Sequence, residues 1–189
     1  MRIIAGQRRG ALLTAPRGMD TRPTQAKVRE SLFSMIQAYV PNARVLDLFA
    51  GSGALALEAI SRGAASAVLV DRDREAAACI RRNIEKLRFG PVATLYCSDW
   101  RQALSQMRAA HEPPFDLVFL DPPYRLLELA HCCQALAEMR LLNGEALLVL
   151  EHRTEVPISL DERFALVKQR AYGETELHLY QYQPDAKGE

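Results

Sequence analysis

The chain has 189 residues, 49% hydrophobic and 25% charged, which excludes disordered, collagen-like and small disulfide-stapled proteins. Its 24 basic and 23 acidic residues leave a net charge of +1, which alone does not favour a nucleic-acid partner. The charge is uneven, however. The first 29 residues hold seven basic residues and one aspartate, a local charge of +6, so the remainder sums to −5. A basic segment ahead of a mildly acidic body is predicted.

Simple sequence features exclude several further classes. The chain has no apolar leader and no apolar run of about 18 residues, so we expect a cytoplasmic protein without a membrane span. The cysteines lack C-x-x-C spacing, which predicts reduced and mostly buried thiols; they are Cys79, Cys97, Cys132 and Cys133. The histidines show no metal-ligand spacing, and no metal site is predicted; they are His111, His131, His152 and His178.

A basic arm is predicted over residues 1–23. Residues 2–5 and 11–14 flank a short segment that begins and ends with glycine, a pattern that indicates a small hairpin. Arg8 and Arg9 would lie at its tip. The alternative is a solvated tail, because basic termini punctuated by glycine and proline are commonly unstructured.

One amphipathic helix is predicted after the arm, over residues 25–39. Val28, Leu32 and Ile36 recur at helical spacing and would share its buried face. Thr24 is placed to cap the helix, and a proline lies just past its end.

Beyond residue 40, short apolar runs alternate with helical patterns. This alternation predicts an open, doubly wound α/β fold, Rossmann-like, with a mostly parallel seven-stranded sheet and its ligand site at the carboxyl ends of the strands. The last two strands read as an antiparallel hairpin that closes the sheet. The predicted strands are residues 43–48, 67–70, 92–96, 115–120, 146–150, 164–170 and 176–182, and the predicted helices are residues 54–61, 74–87, 100–108 and 126–139.

A glycine-rich loop joins the first strand of the body to its helix. Gly51 and Gly53, with Ala56, satisfy the relaxed dinucleotide pattern G-x-G-x-x-G/A, and Asp71 follows at the end of the next strand, where an acid can hold a ribose diol. The pattern predicts an adenosine-containing cofactor and leaves both NAD(H) and S-adenosylmethionine open. Asp47 favours the second, because a carboxylate repels a pyrophosphate and attracts an ammonium group.

Three further residues are expected to contribute to the cofactor site. Phe49 lies within the glycine loop itself. Asp99, after the third strand, can accept a hydrogen bond from the exocyclic amine of adenine, with Trp100 beside the ring. Simpler interpretations exist for both acids: Asp47 as a residue that binds loop amides, and Asp99 as the N-cap of the following helix, a role compatible with a cofactor contact.

The loop after the fourth strand carries the predicted chemistry: Asp121, Pro122, Pro123 and Tyr124. An amine on a nucleobase is a poor nucleophile because its lone pair is delocalised into the ring. The Asp121 carboxylate and the Pro122 carbonyl can accept both amine hydrogens and favour the reactive form. Pro123 has no amide hydrogen to compete for these acceptors, and Tyr124 can stack on an extruded base.

The glycine loop (residues 47–53) and the Asp121–Tyr124 loop together resemble class I S-adenosylmethionine-dependent amino-methyltransferases. Residues 2–6, 22–24 and 29–33 narrow the resemblance to the RsmD family, which methylates the exocyclic N2 of a guanine in bacterial 16S ribosomal RNA. The resemblance covers residues 1–182. Ala56 departs from the usual second-turn glycine of the family, and Asp71 from its usual glutamate.

The resemblance implies a methyltransferase domain at residues 24–183 between the arm and a tail at 184–189. It implies S-adenosylmethionine as cofactor and a 16S rRNA substrate, which we expect within a small-subunit particle, and we further expect a monomer with no membrane or metal. It also implies catalysis by the loop at residues 121–124 and cofactor contacts from the loop at residues 47–53, Asp71 and Asp99. The residues expected to meet RNA are Arg8, Arg9, Arg22, Thr24, Lys27 and Arg29.

Two other functions remain compatible with the residues. The chemistry of the Asp121 loop serves an adenine N6 amine as well as a guanine N2 amine, so an adenine methyltransferase acting on DNA or RNA is the nearest alternative. A non-catalytic RNA-binding protein with a Rossmann-like body is an alternative from another class. The intact loop from Asp121 to Tyr124 argues against it.

Overall fold

The computed structural model describes residues 1–16, 23–122, 126–153 and 158–184, with side chains except at 23–25, 126–127 and 153. The helices are α1 (Pro23–Met35), α2 (Ala54–Ser61), α3 (Arg74–Leu87), α4 (Trp100–Ala109) and α5 (Leu126–Glu138). The strands are β1 (Arg44–Asp47), β2 (Ser66–Val70), β3 (Ala93–Tyr96), β4 (Phe115–Leu120), β5 (Leu142–Arg153), β6 (Phe164–Tyr172) and β7 (Thr175–Tyr182).

The strands form one sheet in the order β3-β2-β1-β4-β5-β7-β6. The first five in this order are parallel, and β7 pairs antiparallel with both β5 and β6. The predicted mostly parallel sheet with a C-terminal antiparallel hairpin is therefore confirmed. The direction of strand succession reverses between β1 and β4, and in such sheets the crevice at the carboxyl ends of these two strands holds the ligand.

Strand β5 is much longer than its predicted apolar stretch. Its first residues include Asn143, Gly144 and Glu145, which interrupt the apolar run, and the register against β4 shifts in this region, between the Phe115 and Leu117 pairs. The Nδ2 of Asn143 donates to the Asp116 carboxylate 2.5 Å away. These residues prefer turns on their own, and tertiary contacts hold them in strand β5.

Apolar side chains alternate between the two faces of the sheet and form two cores. One core lies under α1, α2 and α3. The other lies under α4 and α5 and includes the buried thiols Cys132 and Cys133. Cys79 is also buried and Cys97 is exposed, all as free cysteines, so the expectation of mostly buried thiols is confirmed. Within the described ranges, no helix has the length and apolar content needed to cross a membrane.

Helix α1 begins and ends earlier than predicted. It starts at Pro23, so Thr24 lies inside the first turn and is not the cap. The fixed φ of proline suits the first helical position, where its missing N–H costs nothing. After Met35 the chain continues in turns, in which the Tyr39 N–H donates to the Ile36 carbonyl.

The predicted hairpin of the arm is reduced to a single antiparallel bridge between Arg2 and Leu12. The intervening residues contain a short 3-10 turn, Gly6–Arg8. Ile3 and Leu13 point inward and are buried in the core beneath α1–α3. The first sixteen residues are therefore packed on the body, which disagrees with the alternative of a solvated tail.

Glu58 of α2 anchors the arm to the body. Its side chain is fully buried, and its carboxylate accepts from the backbone amides of Ile4 at 2.6 Å and Ala5 at 2.9 Å. Arg62, one helical turn later, donates to Glu58 Oε1 at 2.7 Å. A buried charge is tolerated only when it is paired and hydrogen-bonded, and here the amides and the guanidinium supply both conditions.

Asn83 of α3 connects the arm to the glycine-rich loop. Its amide exchanges two hydrogen bonds of 2.8 Å with the backbone of Thr14 and donates a third, of 2.9 Å, to the Ser52 carbonyl. Asn83 is fully buried. The arm and the loop are therefore held by the same side chain.

The pair Gly6 and Gly10 tests how closely the arm must pack. Both have positive φ, 81° and 83°. A Cβ on Gly6 would lie 1.8 Å from the Ser61 carbonyl oxygen, whereas a Cβ on Gly10 has nothing within 4 Å. We expect Gly10→Ala to lose about 1–2 kcal/mol of unfolding free energy through its backbone conformation alone, and Gly6→Ala to lose more and to expose the arm to protease. Urea unfolding with limited proteolysis measures both, and equal effects would contradict this packing.

Candidate active site

Two cavities open at the carboxyl ends of the parallel strands. The first, here called the α1 cavity, lies beside helix α1, and the second, the α4 cavity, lies beside the start of α4. Phe49, Gly51 and Asp121 line both cavities, so the two share a wall. Polar and charged side chains also line the cavities, among them Arg29, Asp47, Glu151 and Thr175 in the α1 cavity and Asp71, Asp99, Trp100 and Glu128 in the α4 cavity.

The two glycines of the loop have different physical roles. Both adopt positive φ, 56° at Gly51 and 78° at Gly53. Gly51 lines both cavities, as expected of a position where backbone meets ligand. Gly53 lines neither of these cavities; a Cβ there would lie 2.9 Å from a methyl of Leu69 and 3.2 Å from one of Leu57. Gly53 is therefore required for helix–strand packing rather than for ligand approach.

Asp47 lies at the end of β1 and is 2% exposed. Its Oδ2 accepts one weak hydrogen bond from the Ala56 amide at 3.3 Å, so the simpler interpretation of Asp47 as a loop-binding residue is partly correct. Burial above all, together with the nearby carboxyls of Asp121 and Asp71, raises its pKa to about 7. A side chain with so little compensation retains acceptor capacity toward the α1 cavity, which it lines.

Asp71, at the end of β2, supports the glycine loop directly. Its Oδ2 accepts from the Gly51 amide at 2.8 Å, and its Oδ1 accepts from the Asp73 amide at 2.8 Å. Each carboxylate oxygen has a second acceptor site, so these bonds do not use up the carboxylate. Asp71 lines the α4 cavity. The predicted ribose contact would therefore come from a side chain that the loop already orients.

Asp99 and Trp100 stand at the start of α4. Asp99 is the N-cap: its Oδ1 accepts from the Arg101 amide at 2.9 Å. Trp100 is 5% exposed, and its Nε1 donates to Glu128 of α5 at 3.0 Å. Arg101 covers the indole, with its Cζ 4.2 Å from the ring centroid. Both predicted residues line the α4 cavity in a rigid arrangement.

Asp121 follows β4 and lies between the two cavities. Its side chain is exposed to solvent. The surrounding protein nevertheless desolvates the carboxyl in part and so raises its pKa to about 6. Pro122 is partly buried beside it. Pro123 and Tyr124, which the sequence places in the same catalytic loop, lie outside the described residues.

Glu151, which sequence reasoning missed, completes a row of three carboxyl groups. Asp47 ends β1, Asp121 directly follows β4 and Glu151 lies near the end of β5. These strands are adjacent, and all three residues line the α1 cavity. Each comes two positions after a strand residue whose side chain lies in the core beneath α1–α3, so the three point to the same face of the sheet. Burial and the Asp121 carboxyl together raise the pKa of Glu151 to about 8.

A signal for Glu151 was present in the sequence. It follows the apolar strand residues 146–150 directly, as Asp121 follows 115–120. The sheet order that makes β5 the neighbour of β4 is a tertiary property and was needed to see that the two acids meet.

Arg29 is buried, which corrects its expected position on an RNA-binding surface. It is 8% exposed and donates through Nη2 to the Arg2 carbonyl at 2.6 Å. Its Nε is buried without a hydrogen-bond partner, and the side chain lines the α1 cavity. Desolvation lowers its pKa, against a smaller opposing effect of Glu58. A buried guanidinium with an unpaired donor fits a ligand that brings an acceptor group into this cavity.

The remaining basic residues separate into engaged and exposed side chains. Arg8 turns back onto the body: its Nε donates to the Leu87 carbonyl at 2.8 Å and its Cζ lies 5.7 Å from the Phe89 ring centroid. Arg9 and Lys27 are exposed. Arg22 lies outside the described residues, as does the side chain of Thr24. Of the two arginines predicted at the tip of the arm, only Arg9 is free to reach a partner.

Two histidines that are distant in sequence meet on strands β5 and β7. His152, Glu176 and His178 bring one ligand atom each to within 4.8 Å of one another. His178 Nε2 lies 3.3 Å from a Glu176 carboxylate oxygen, and the two imidazole rings pack edge to face with centroids 4.6 Å apart. Two of the histidines therefore lie closer together in space than their spacing in the sequence predicts. The absence of a metal site stays a prediction.

Known proteins share both the sequence and the fold of this chain. The chain is 36% identical over 190 residues to "Ribosomal RNA small subunit methyltransferase D" of Escherichia coli K12, covering 100% of this chain and 92% of that protein. The solved structure of the Escherichia coli protein yhhF superimposes with a TM-score of 0.85 at 36% identity, covering 97% of this chain and 98% of the other.

More distant proteins share the fold alone. An RNA methyltransferase from Salinibacter ruber, solved in complex with S-adenosyl-L-homocysteine, has a TM-score of 0.65 at 13% identity and covers 90% of this chain and 98% of its own. The family described as "Conserved hypothetical protein 95" (Cons_hypoth95) matches residues 1–181, nearly the whole chain. The chain therefore belongs to the Cons_hypoth95 family, which is the RsmD family that its motifs predict.

Proposed function

We propose that this protein transfers a methyl group from S-adenosylmethionine to the exocyclic N2 of a guanine in 16S rRNA of the small ribosomal subunit. The observation that carries the proposal is the position of Asp121. It lines both cavities, so its carboxyl group would lie between the adenosine of the cofactor in the α4 cavity and the methionyl end and acceptor base in the α1 cavity. The relative named as a small-subunit rRNA methyltransferase, aligned over the whole chain, supports the same substrate class.

The charges of the site fit S-adenosylmethionine better than NAD(H). The buried Asp47 carboxyl stands where a dinucleotide would place its pyrophosphate, and like charges repel strongly away from water. The methionyl end of S-adenosylmethionine instead carries an ammonium, a carboxylate and a sulfonium. Asp47 would bind the ammonium, and the orphaned Nε of Arg29 in the same cavity would bind the carboxylate.

The adenosine would lie in the α4 cavity. Asp71 would accept from the ribose hydroxyls while continuing to hold the Gly51 amide. Asp99 would accept from the adenine amine with its second carboxylate oxygen, since only Oδ1 is engaged in capping. Trp100, locked by Glu128, would form the wall beside the ring.

The chemistry then depends on positioning. S-adenosylmethionine supplies an electrophilic methyl group on a cationic sulfur. The Asp121 carboxylate and the Pro122 carbonyl accept the two amine hydrogens, which keeps the nitrogen lone pair out of the ring and directs it at the methyl carbon. As the new N–C bond forms, the bond between the methyl carbon and sulfur breaks and S-adenosylhomocysteine leaves. The methylated nitrogen must then lose one proton, and Asp121 is the adjacent base.

The RNA would be approached by Arg9 of the arm and Lys27 of helix α1, both of which are exposed. Phosphate contacts of this kind give affinity and register but no base specificity. Arg8 would act indirectly, because its guanidinium holds the arm against the end of α3. The site of action would be the cytoplasm, where ribosomal particles are found.

The role of Asp121 is tested by Asp121→Asn and Asp121→Ala. Both variants should bind S-adenosylhomocysteine, whose sulfur is uncharged, within about threefold of the wild type, because the contacts proposed for its amino-acid and adenosine parts lie elsewhere. Methyl transfer to small-subunit particles should fall by a factor on the order of 100–1,000, the usual cost of removing one transition-state hydrogen-bond acceptor or donor. Radiolabelled methyl incorporation measures the rate, and turnover like that of the wild type in Asp121→Ala would rule out the assigned chemistry.

Arg29 is tested with two ligands that differ only in the amino-acid part. Arg29→Gln should bind S-adenosylhomocysteine about 10- to 100-fold more weakly, since a hydrogen-bonded charge pair is lost. Its affinity for 5′-methylthioadenosine, which lacks the carboxylate, should be unchanged. Calorimetric titration measures both, and Arg29→Lys should recover part of the loss. Equal weakening of the two ligands would show that Arg29 acts only through folding.

Arg9 and Arg8 form a matched pair for RNA binding. Arg9→Ala should weaken binding to small-subunit RNA and reduce the slope of log affinity against log salt by about 0.7–0.9, one phosphate contact. Arg8→Ala should instead lower the melting temperature, because its bond to Leu87 is internal. Filter binding across a salt series, with thermal melts as the control, separates the two. A salt slope unchanged in Arg9→Ala would remove Arg9 from the interface.

A further inference from the structure

Glu151 lies beside Asp121 in a fixed register. Strands β4 and β5 are parallel, and Leu120 of β4 pairs with Leu150 of β5. The residues that follow these two, Asp121 and Glu151, are therefore neighbours. Adjacent strands are about 4.8 Å apart. Glu151 also pairs with Leu177 of β7, so its backbone is held on both sides. Two acidic side chains are thereby presented side by side to the α1 cavity.

This pair has little compensating charge. Among the described residues that line the α1 cavity, Arg29 has the one basic side chain, and Asp47 adds a third carboxyl. A bound base that brings N–H donors, together with a cationic sulfonium, would satisfy the pair. The α1 cavity is therefore suited to bind hydrogen-bond donors, and its carboxyl groups offer more acceptors than a single amine requires.

The count of acceptors distinguishes the two purines. The edge of guanine next to its exocyclic amine carries a ring N1–H, so guanine presents three donor hydrogens in a row. Adenine presents only its two amine hydrogens, and the adjacent ring nitrogen is an acceptor, which faces a carboxylate unfavourably. Asp121 and the Pro122 carbonyl use the two amine hydrogens in either case.

We propose that Glu151 accepts a hydrogen bond from the N1–H of the target guanine and is the residue that selects guanine over adenine. This inference rests on the proposed methyl transfer to guanine N2 and assigns its base specificity to one side chain. Glu151 stands on a strand held by two neighbours, so its carboxylate has a defined position relative to Asp121. Such a site rejects a base that lacks the donor, because a buried acceptor is then left unpaired.

The test replaces the target guanine by 2-aminopurine, which keeps the N2 amine and lacks the N1–H. The position that the wild-type protein methylates is first mapped in small-subunit RNA, and RNA is then assembled with guanine or 2-aminopurine at that position. The wild type should prefer guanine by about 10- to 100-fold in kcat/KM, the value of one hydrogen bond to a charged group.

Glu151→Gln supplies an amide that can donate to the bare ring nitrogen, so the guanine preference should fall to within about threefold of unity. His152→Gln is the matched control: His152 is the next residue and its side chain points to the opposite face of the sheet. It should keep the preference of the wild type. Affinity for S-adenosylhomocysteine, measured by calorimetry, should be the same in all three proteins, which excludes a loss of fold.

Two results overturn the inference. An unchanged guanine preference in Glu151→Gln would remove the N1–H contact, and a wild type that methylates 2-aminopurine as fast as guanine would do the same. Failure of the proposed function gives a different result, because the wild-type product would then be a methylated adenine or no methylated nucleoside at all.

Discussion

The order of the parallel strands brings three carboxyl groups into one row, and the rest of the site depends on this constraint. Asp47, Asp121 and Glu151 belong to adjacent strands and point to the same side of the sheet. Burial raises the pKa of all three, and the Asp121 carboxyl also raises those of Asp47 and Glu151. Crowding these carboxyl groups together costs free energy of folding. A ligand that brings positive charge and N–H donors would recover part of that cost. A sulfonium cofactor and a guanine edge have that chemistry.

The basic arm is connected to this row through side chains that serve both. Arg29 holds the Arg2 carbonyl on one side and faces the α1 cavity on the other. Asn83 holds Thr14 and the glycine loop together, and Glu58 accepts hydrogen bonds from the amides of Ile4 and Ala5 in the arm. The net charge of +1 is therefore the sum of a basic N-terminal segment and an acidic body that are in contact with each other. An event that displaces the arm, such as docking on RNA, would be felt at the cofactor loop through these bonds.

The sequence predicted the strands and helices of the body well because their apolar periods are strong and their ends carry glycine, proline or a capping acid. Helices α2 and α3 and strand β4 have the predicted limits. Strand β5 was underestimated because Asn143–Glu145 has no strand preference of its own and is held there by tertiary contacts such as the hydrogen bond from Asn143 to Asp116.

The candidate site was predicted where motifs follow strand ends, and its errors have a common cause. Arg29 and Arg8 were assigned by charge alone, but folding buries one and ties back the other. Gly53 was assigned to ligand approach, but it packs against Leu69. Glu151 was missed because its importance comes from its neighbour in space. Local pattern identifies an element, whereas the partner of a side chain depends on strand order.

The central claim is that the row of carboxyl groups directs a methyl group to the N2 of guanine. The most direct measurement is to incubate the protein and isotopically labelled S-adenosylmethionine with small ribosomal subunits from cells that lack it, and to identify the labelled nucleoside by mass spectrometry after complete digestion. The account predicts N2-methylguanosine as the labelled product. Labelled N6-methyladenosine, or no labelled nucleoside in the presence of bound cofactor, would contradict it.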